Sequence, residues 1–125
     1  MIALMPNMVE NIFWWFYDFL VYGNVRNLGC DKNTTIFLQV GLQQDTIIFN
    51  STTIKVPDPE KIYSFSIPFN MYNQYKHYLY FEWRSDCTRN YGERTKVRLD
   101  GVKNIEFEWS NTHWKYMCNV GVITL

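Results

Sequence analysis

The stretch IFWWFYDFLVY, residues 12–22, is the part of the sequence that decides the fold. It is mostly aromatic, and Asp18 is its single charged residue. A membrane-spanning helix needs about 20 mostly apolar residues. Here Glu10 and Asn11 interrupt the apolar run on one side and Gly23 ends it on the other. The stretch is therefore too short to predict a membrane span.

Residues 12–22 could form either a helix or a strand. A helix would be capped by Asn7, with Glu10 at the capping-box position and Gly23 just past its end. Such a helix would be apolar on nearly every face, and a domain of this size rarely buries a helix on all sides. A strand suits aromatic and β-branched side chains and separates them into two faces. We therefore favour the strand.

As a strand, residues 12–22 have one face without any polar side chain. The odd-numbered residues on that face are expected to fill the core: Phe13, Trp15, Tyr17, Phe19 and Val21. The even-numbered face carries Asp18 and is expected to lie outside. Water is a poor neighbour for a row of large apolar side chains. The outer face therefore predicts an interface with a partner, formed by Trp14, Phe16 and Leu20.

Short alternating segments with turn residues between them fill the rest of the chain. They are residues 34–40, 46–49, 52–56, 61–67, 78–83, 95–99, 102–109 and 115–124. A turn is expected at Asn50-Ser51, and Asp100-Gly101 is expected to join 95–99 to 102–109 in a hairpin. Strands at this spacing predict one all-β domain over residues 1–125, an antiparallel β-sandwich of immunoglobulin-like or jelly-roll-like type.

Composition and charge restrict the class of partner. The 125 residues carry 12 basic and 12 acidic side chains, and no basic run offers a site for the phosphates of duplex nucleic acid. Aromatic residues make up 18% of the chain, and rings are common contact groups of binding surfaces. A glycan or a protein is therefore the expected partner, and a homo-oligomer is an open alternative.

Three cysteines, Cys30, Cys87 and Cys118, cannot all pair within one chain. No CxxC occurs and neither histidine stands at ligand spacing from a cysteine, so no metal and no cofactor are expected. Because no signal peptide is recognisable either, three reduced thiols and a cytoplasmic location are the expectation. Two tripeptides, Asn33-Thr34-Thr35 and Asn50-Ser51-Thr52, match the acceptor pattern for N-glycosylation, a pattern that also arises often by chance.

Three segments resemble one family of binding modules. VRNLGCDK, residues 25–32, is followed by the strand TTIFLQV, and together they resemble the opening of the starch- and glycogen-binding modules of carbohydrate-binding family 21. The family's pattern there is V-K-N-L-x-F-E-K, so Cys30 stands in place of an aromatic. YSFSIPF, residues 63–69, and YLYFEW, residues 78–83, are similar to later strands of the family. The resemblance implies an immunoglobulin-like sandwich that binds α-glucan without catalysis.

The likeness is incomplete in the loop that binds sugar in that family. The family has an aromatic residue followed by Asp-Asn-Asn, whereas Tyr91 is followed here by Gly92, Glu93 and Arg94. Sugars in general bind where rings stack on their apolar faces beside groups that bond their hydroxyls. On both grounds the residues expected to bind a glycan are Tyr72, Asn90, Tyr91, Trp109, His113 and Trp114.

No catalytic constellation is recognisable in the sequence. Motifs for an activated nucleophile, a metal-bound water or a phosphate loop do not occur. Glu106 and Glu108 share one face of a predicted strand, where Glu82 could join them through sheet curvature, and a solvent-exposed strand edge is the simpler expectation. The chain is therefore expected to be a non-catalytic binding module, with a protein-interaction or assembly subunit as the competing class.

Overall fold

The computed structural model describes residues 16–42, 47–72, 78–87, 94–99 and 105–125. Along the chain the strands are β1 (Phe16–Arg26), β2 (Thr35–Leu42), β3 (Ile48–Lys55), β4 (Ile62–Tyr72), β5 (Leu79–Ser85), β6 (Arg94–Arg98), β7 (Glu108–Ser110) and β8 (Lys115–Thr124). The first sheet has the order β4-β1-β8-β7 and the second the order β3-β2-β5-β6. The described part of the chain contains no helix with the length and hydropathy of a membrane span.

The two sheets enclose one apolar core, so the predicted all-β sandwich is confirmed. Alternate side chains of β1, β2 and β4 point into this core, which is the pattern of strands with one buried face. The buried members with almost no exposed surface include Phe19, Val21, Val25, Ile36, Leu38, Val40, Ile67, Leu79, Phe81 and Leu99. A core drawn from both sheets is what makes the two layers one folding unit.

The strand predicted for residues 12–22 is confirmed where the structure describes it, from Phe16 onward. The odd-numbered side chains lie on the core side: Tyr17, Phe19 and Val21. The even-numbered side chains lie on the outer face, where Asp18 is exposed and Leu20 and Tyr22 are partly buried. The strand alternation therefore holds, and the helical alternative is wrong for this part of the stretch.

The predicted interface on the outer face of β1 is only partly described. Trp14 lies outside the described residues, as do the predicted core residues Phe13 and Trp15. The backbone of Phe16 pairs with Tyr72, and its side chain is not described. Leu20 lies opposite Pro68 of β4 and Met117 of β8. An interface through Trp14, Phe16 and Leu20 stays a prediction.

β1 pairs antiparallel with β4 and parallel with β8, so the first and last described strands are neighbours. This parallel pair is the exception among the described strand pairs, since the others are antiparallel, as predicted. Its register shifts at Gly23, where a Cβ atom would lie 2.7 Å from the carbonyl oxygen of Gly121. Gly121 itself has a φ of 85°, a conformation that favours glycine. Gly23 therefore permits the close approach of β1 and β8, and Gly121 supplies the positive φ of β8 at this point.

The turn predicted at Asn50-Ser51 is wrong, because β3 runs through it without a break. Asn50 pairs with Val40 and Ser51 with Gln39 of β2. The Asn50 side-chain amide also donates to the carbonyl oxygen of Pro68, 2.7 Å away in the other sheet. Pairing with a neighbouring strand thus overrides the local turn preference of the two residues.

The strand predicted for residues 102–109 is wrong in extent and in pairing. Residues 100–104, which include the predicted Asp100-Gly101 turn, lie outside the described residues, and 105–107 are not in a strand. β7 pairs with β8, whereas β6 belongs to the other sheet, so the two do not form a hairpin. Ile105 and Phe107 pack against the core. Their alternating pattern therefore reflects core contacts of a connecting segment.

The expectation of three reduced thiols is also wrong. Cys30, between β1 and β2, forms a disulfide with Cys87, just after β5, and Cys118 is free and buried. Because β5 runs antiparallel to β2, its end lies beside the start of β2, which brings together cysteines 57 residues apart. Closing a loop of that length stabilises a fold by about 4 kcal/mol in the chain-entropy treatment. The expectation of three reduced thiols therefore no longer supports a cytoplasmic location.

Asn27, the amide of the VRNLGCDK segment, is fully buried and holds the chain between β1 and the disulfide. Its side-chain nitrogen donates to the carbonyl oxygens of Val56, at 2.7 Å, and Asp31, at 3.3 Å. Its side-chain oxygen accepts the backbone N–H of Cys30 at 2.8 Å. One side chain thus satisfies three backbone groups and fixes the position of Cys30.

Replacing Asn27 by Ala should lower the free energy of unfolding by at least about 2 kcal/mol. The substitution removes the side-chain partner of the buried carbonyl oxygen of Val56 and of the partly buried backbone N–H of Cys30, and a buried group left without a partner costs about 1–3 kcal/mol. Urea unfolding of the variant measures the change. The matched control is Asn70→Ala, which removes an amide whose hydrogen bond to the Asp18 carboxylate is exposed to solvent, and it should cost less than about 1 kcal/mol. Equal losses at the two positions would contradict this role for Asn27.

Candidate functional site

The hairpin that joins β7 to β8 brings together three of the residues expected to bind a glycan: Trp109, His113 and Trp114. Trp109 pairs with Tyr116, and Ser110 pairs with Lys115. Residues 111–114 form the turn between the two strands. The backbone N–H of Trp114 donates to the carbonyl oxygen of Ser110 at 2.9 Å and closes the turn.

Trp114 is the most exposed large apolar side chain among the described residues, with 71% of its surface open to solvent. Its backbone φ is 55°, in the left-handed region, which costs an L-residue about 1–2 kcal/mol. Conformations of this kind persist where the surrounding structure holds them, and they concentrate at functional sites. Core packing cannot account for a ring with this exposure.

A cluster of rings supports Trp114 from below. The Trp109 ring, 40% of which is exposed, lies 6.3 Å from the Trp114 ring, and the two planes are 76° apart. Trp109 also contacts Tyr116 at 5.0 Å, and Tyr116 stacks on buried Phe19 at the same distance. Tyr17 packs edge-on against both Trp109 and Tyr116. Ring contacts therefore run continuously from the core to the surface.

Polar groups of the turn lie beside these rings. Ser110 Oγ, Thr112 Oγ1 and His113 Nδ1 are mutually within 3.2 Å, and the backbone N–H of His113 donates to Ser110 Oγ. All three contacts are on the surface. Hydroxyl and imidazole groups both donate and accept hydrogen bonds, so the turn offers partners for the hydroxyl groups of a ligand.

An open groove with a volume of about 410 Å³ lies on the outer face of the first sheet, next to the hairpin. Trp109 and Ser110 belong to both the hairpin and the groove. The residues that line it are Tyr22, Glu106, Glu108, Trp109, Ser110, Met117 and Asn119. Rings, carboxylates and an amide therefore continue from the hairpin along β8.

Glu106 and Glu108 of the groove are not joined by Glu82, the third acid that sheet curvature could have brought to them. Glu106 and Glu108 are exposed, as expected, and Glu106 is not in a strand. Glu82 lies in the other sheet, where it accepts a hydrogen bond from Gln39 at 2.8 Å.

The free Cys118 thiol has a raised pKa. Burial is the main cause, the charges of Glu106 and Glu108 add to it, and together they raise the pKa of Cys118 to about 12. In the described ranges no three His, Cys, Asp or Glu side chains are grouped to hold a metal ion.

Of the other residues expected to bind a glycan, the structure describes Tyr72 alone. Tyr72 ends β4 and pairs with Phe16 at the start of β1, the same end of the first sheet as the hairpin. Asn90 and Tyr91 lie outside the described residues. The strand ends that flank them, at Ser85 and Arg94, lie at the opposite end, beside the disulfide.

The sequence did not predict that Tyr22, Met117 and Asn119 would contribute to a site. Strand alternation places Tyr22 on the outer face of β1 together with Leu20. The parallel pairing then sets Asn119 opposite Tyr22. No short-range signal marks a pairing between residues almost a hundred positions apart. The polar Ser110-x-Thr112 turn was the one local signal that could have extended the site.

Comparisons with known proteins add no relative to this picture. No family model matches the chain, and no significant match is found among curated proteins or solved structures. The resemblance to carbohydrate-binding family 21 therefore stays a prediction. The fold and site define a β-sandwich with an exposed aromatic hairpin beside a polar groove, and the function is inferred from that site.

The left-handed backbone of Trp114 predicts an unusual order of stability for two variants. Trp114→Gly and Trp114→Ala both remove the ring, but only glycine adopts this φ without strain. The glycine variant should therefore be more stable than the alanine variant, by about 1 kcal/mol in urea unfolding.

The control for this comparison is Thr53, an exposed residue in the interior of β3 without a positive φ. Glycine in a strand interior is less stable than alanine by about 0.5–1 kcal/mol, so the order should reverse there. If glycine were the less stable variant at both positions, Trp114 would not have the left-handed conformation in solution.

Proposed function

We propose that the protein is a non-catalytic carbohydrate-binding module whose ligand occupies the β7–β8 hairpin and the adjoining groove. One observation carries the proposal. Trp114 is 71% exposed and held in a left-handed conformation beside partly exposed Trp109. The proposal includes the immunoglobulin-like description of the sandwich that the family resemblance implies.

Ring stacking is the interaction on which binding depends in this proposal. The apolar face of one sugar unit stacks on Trp114, which has most of its surface free for contact. The hydroxyl groups of that sugar unit form hydrogen bonds with Thr112 and His113, whose polar groups lie together at the surface. The next sugar unit extends into the groove toward Glu108 and Asn119.

The angle between the two tryptophan rings favours a curved glycan. A sugar stacks with its mean plane parallel to a ring, and the planes of Trp109 and Trp114 are 76° apart. Successive units of a flat, extended chain such as a β-1,4-glucan are a poor match for two rings at this angle. An α-linked glucan turns from one unit to the next and is a better match. The ring geometry and the family resemblance thus favour the same ligand class.

Calorimetric titration with a malto-oligosaccharide and a cello-oligosaccharide of equal length tests this function. The wild-type protein should bind the α-linked chain and not the β-linked one. Trp114→Ala should weaken binding by about 1–3 kcal/mol, from loss of the stacking area of one ring, or roughly 5- to 150-fold in Kd. The fold should be unaffected, because the ring lies outside the core.

Two further variants separate the possible outcomes. Ile62→Ala removes an exposed apolar side chain at the opposite end of the same sheet and should bind like the wild type. Tyr91→Ala tests the loop implied by the family resemblance. If Tyr91→Ala lost binding while Trp114→Ala kept it, the site would be that loop. If neither oligosaccharide bound the wild type, the proposed ligand class would be wrong.

A further inference from the structure

Asn33 lies in the connection between β1 and β2 and begins the acceptor tripeptide Asn33-Thr34-Thr35. The residue is exposed. Hydrogen bonds to Asp31 hold this turn. The backbone N–H of Asn33 donates to Asp31 Oδ1 at 2.9 Å, and the hydroxyl and backbone N–H of Thr34 donate to the side chain and backbone of Asp31. Among the described residues, these hydrogen bonds leave the Asn33 side-chain amide unused. That amide nitrogen is therefore accessible for modification.

Asn50 begins the other acceptor tripeptide and has a different environment. It lies inside β3 and is paired with Val40 of β2. Its side-chain nitrogen donates to the carbonyl oxygen of Pro68 at 2.7 Å, where β3 closes against β4 of the other sheet. An oligosaccharide on this nitrogen would compete with the contact between the edge strands β3 and β4. The fold therefore discriminates between two tripeptides that are equivalent in the sequence.

The disulfide gives an independent indication of the compartment. Cys30 lies in the same connection as Asn33, and its partner Cys87 is buried. The backbone N–H of Thr35, the first residue of β2, donates to Asp86 Oδ1 at 2.7 Å, so a hydrogen bond also joins the start of β2 to the segment after β5. Disulfides form and persist in oxidising compartments, among them the one in which N-linked glycans are attached. The disulfide thus agrees with a compartment in which Asn33 would meet the transferase.

We propose that Asn33 carries an N-linked glycan and that Asn50 does not. The donor is an oligosaccharide linked through a diphosphate to a lipid. The bond formed joins Nδ2 of Asn33 to the anomeric carbon of the first sugar, and the bond broken joins that carbon to the diphosphate oxygen. The lipid diphosphate leaves with the electron pair, one amide proton passes to a base of the transferase, and nothing is oxidised or reduced.

The position of Asn33 keeps this modification separate from the hairpin. Asn33 follows the end of β1, whereas the hairpin lies beside the start of β1. An oligosaccharide on Asn33 would therefore leave Trp114 and the groove open. The inference does not depend on the function proposed above, since it rests on the turn and the disulfide alone.

Peptide mass spectrometry of the full gene product from eukaryotic cells tests the proposal. Cleavage before Asp31, Asp45 and Asp58 places the two acceptor asparagines in separate peptides. We expect an oligosaccharide on the peptide that contains Asn33, and conversion of Asn33 to aspartate when an amidase removes that oligosaccharide. The peptide that contains Asn50 should be unmodified. An unmodified Asn33, or an oligosaccharide on Asn50, would overturn the proposal.

Two substitutions at Thr35 provide matched controls. Thr35→Ala removes the acceptor pattern and should abolish the modification, whereas Thr35→Ser retains the pattern and should preserve it. Alkylation of the unfolded, unreduced protein should then find one thiol, Cys118, and three thiols would contradict the compartment. Thr35→Ala should bind any glycan ligand with wild-type affinity, so failure of this proposal is distinguishable from failure of the proposed function.

Discussion

The burial of one face of β1 in the core between the two sheets, with a hydrogen-bonded strand on each side, is the interaction on which the rest of the structure depends. β1 is hydrogen-bonded to β4 on one side and to β8 on the other, and Phe19, Val21 and Val25 fill the core from it. Phe19 stacks on Tyr116, and Tyr116 contacts Trp109. The rings of the hairpin are therefore positioned through β1. A strand with one apolar face thus both closes the sandwich and supports the proposed site.

The opposite end of the sandwich is held by different interactions. There Asn27 satisfies three backbone groups, and the Cys30–Cys87 disulfide joins the β1–β2 connection to the end of β5. The two ends have separate tasks in our account. One presents an aromatic platform, and the other restrains the connections and exposes Asn33.

Local patterns predicted those features that depend on neighbours in the sequence. The two faces of β1 follow from alternation alone, and β8 has the predicted bounds of 115–124. Features that depend on distant partners were not predictable in this way. The Cys30–Cys87 pairing, the continuity of β3 through Asn50 and the parallel contact of β1 with β8 all require the sheet order. The same division holds for the site. The tryptophans of the hairpin could be predicted as binding residues from the sequence. The conformation of Trp114 and the groove beside it could not, because they arise from packing.

Native-state hydrogen exchange of the β1 amides tests the central role of this strand most directly. Amides of a strand paired on both sides and packed on the core exchange only when the whole domain unfolds. We therefore expect residues 19–22 to give a free energy of opening equal to the free energy of unfolding measured in urea. Residues of β7, a short strand at the sheet edge, should open at a lower free energy. If residues 19–22 opened as readily as β7, β1 would not be the strand that holds the sandwich together.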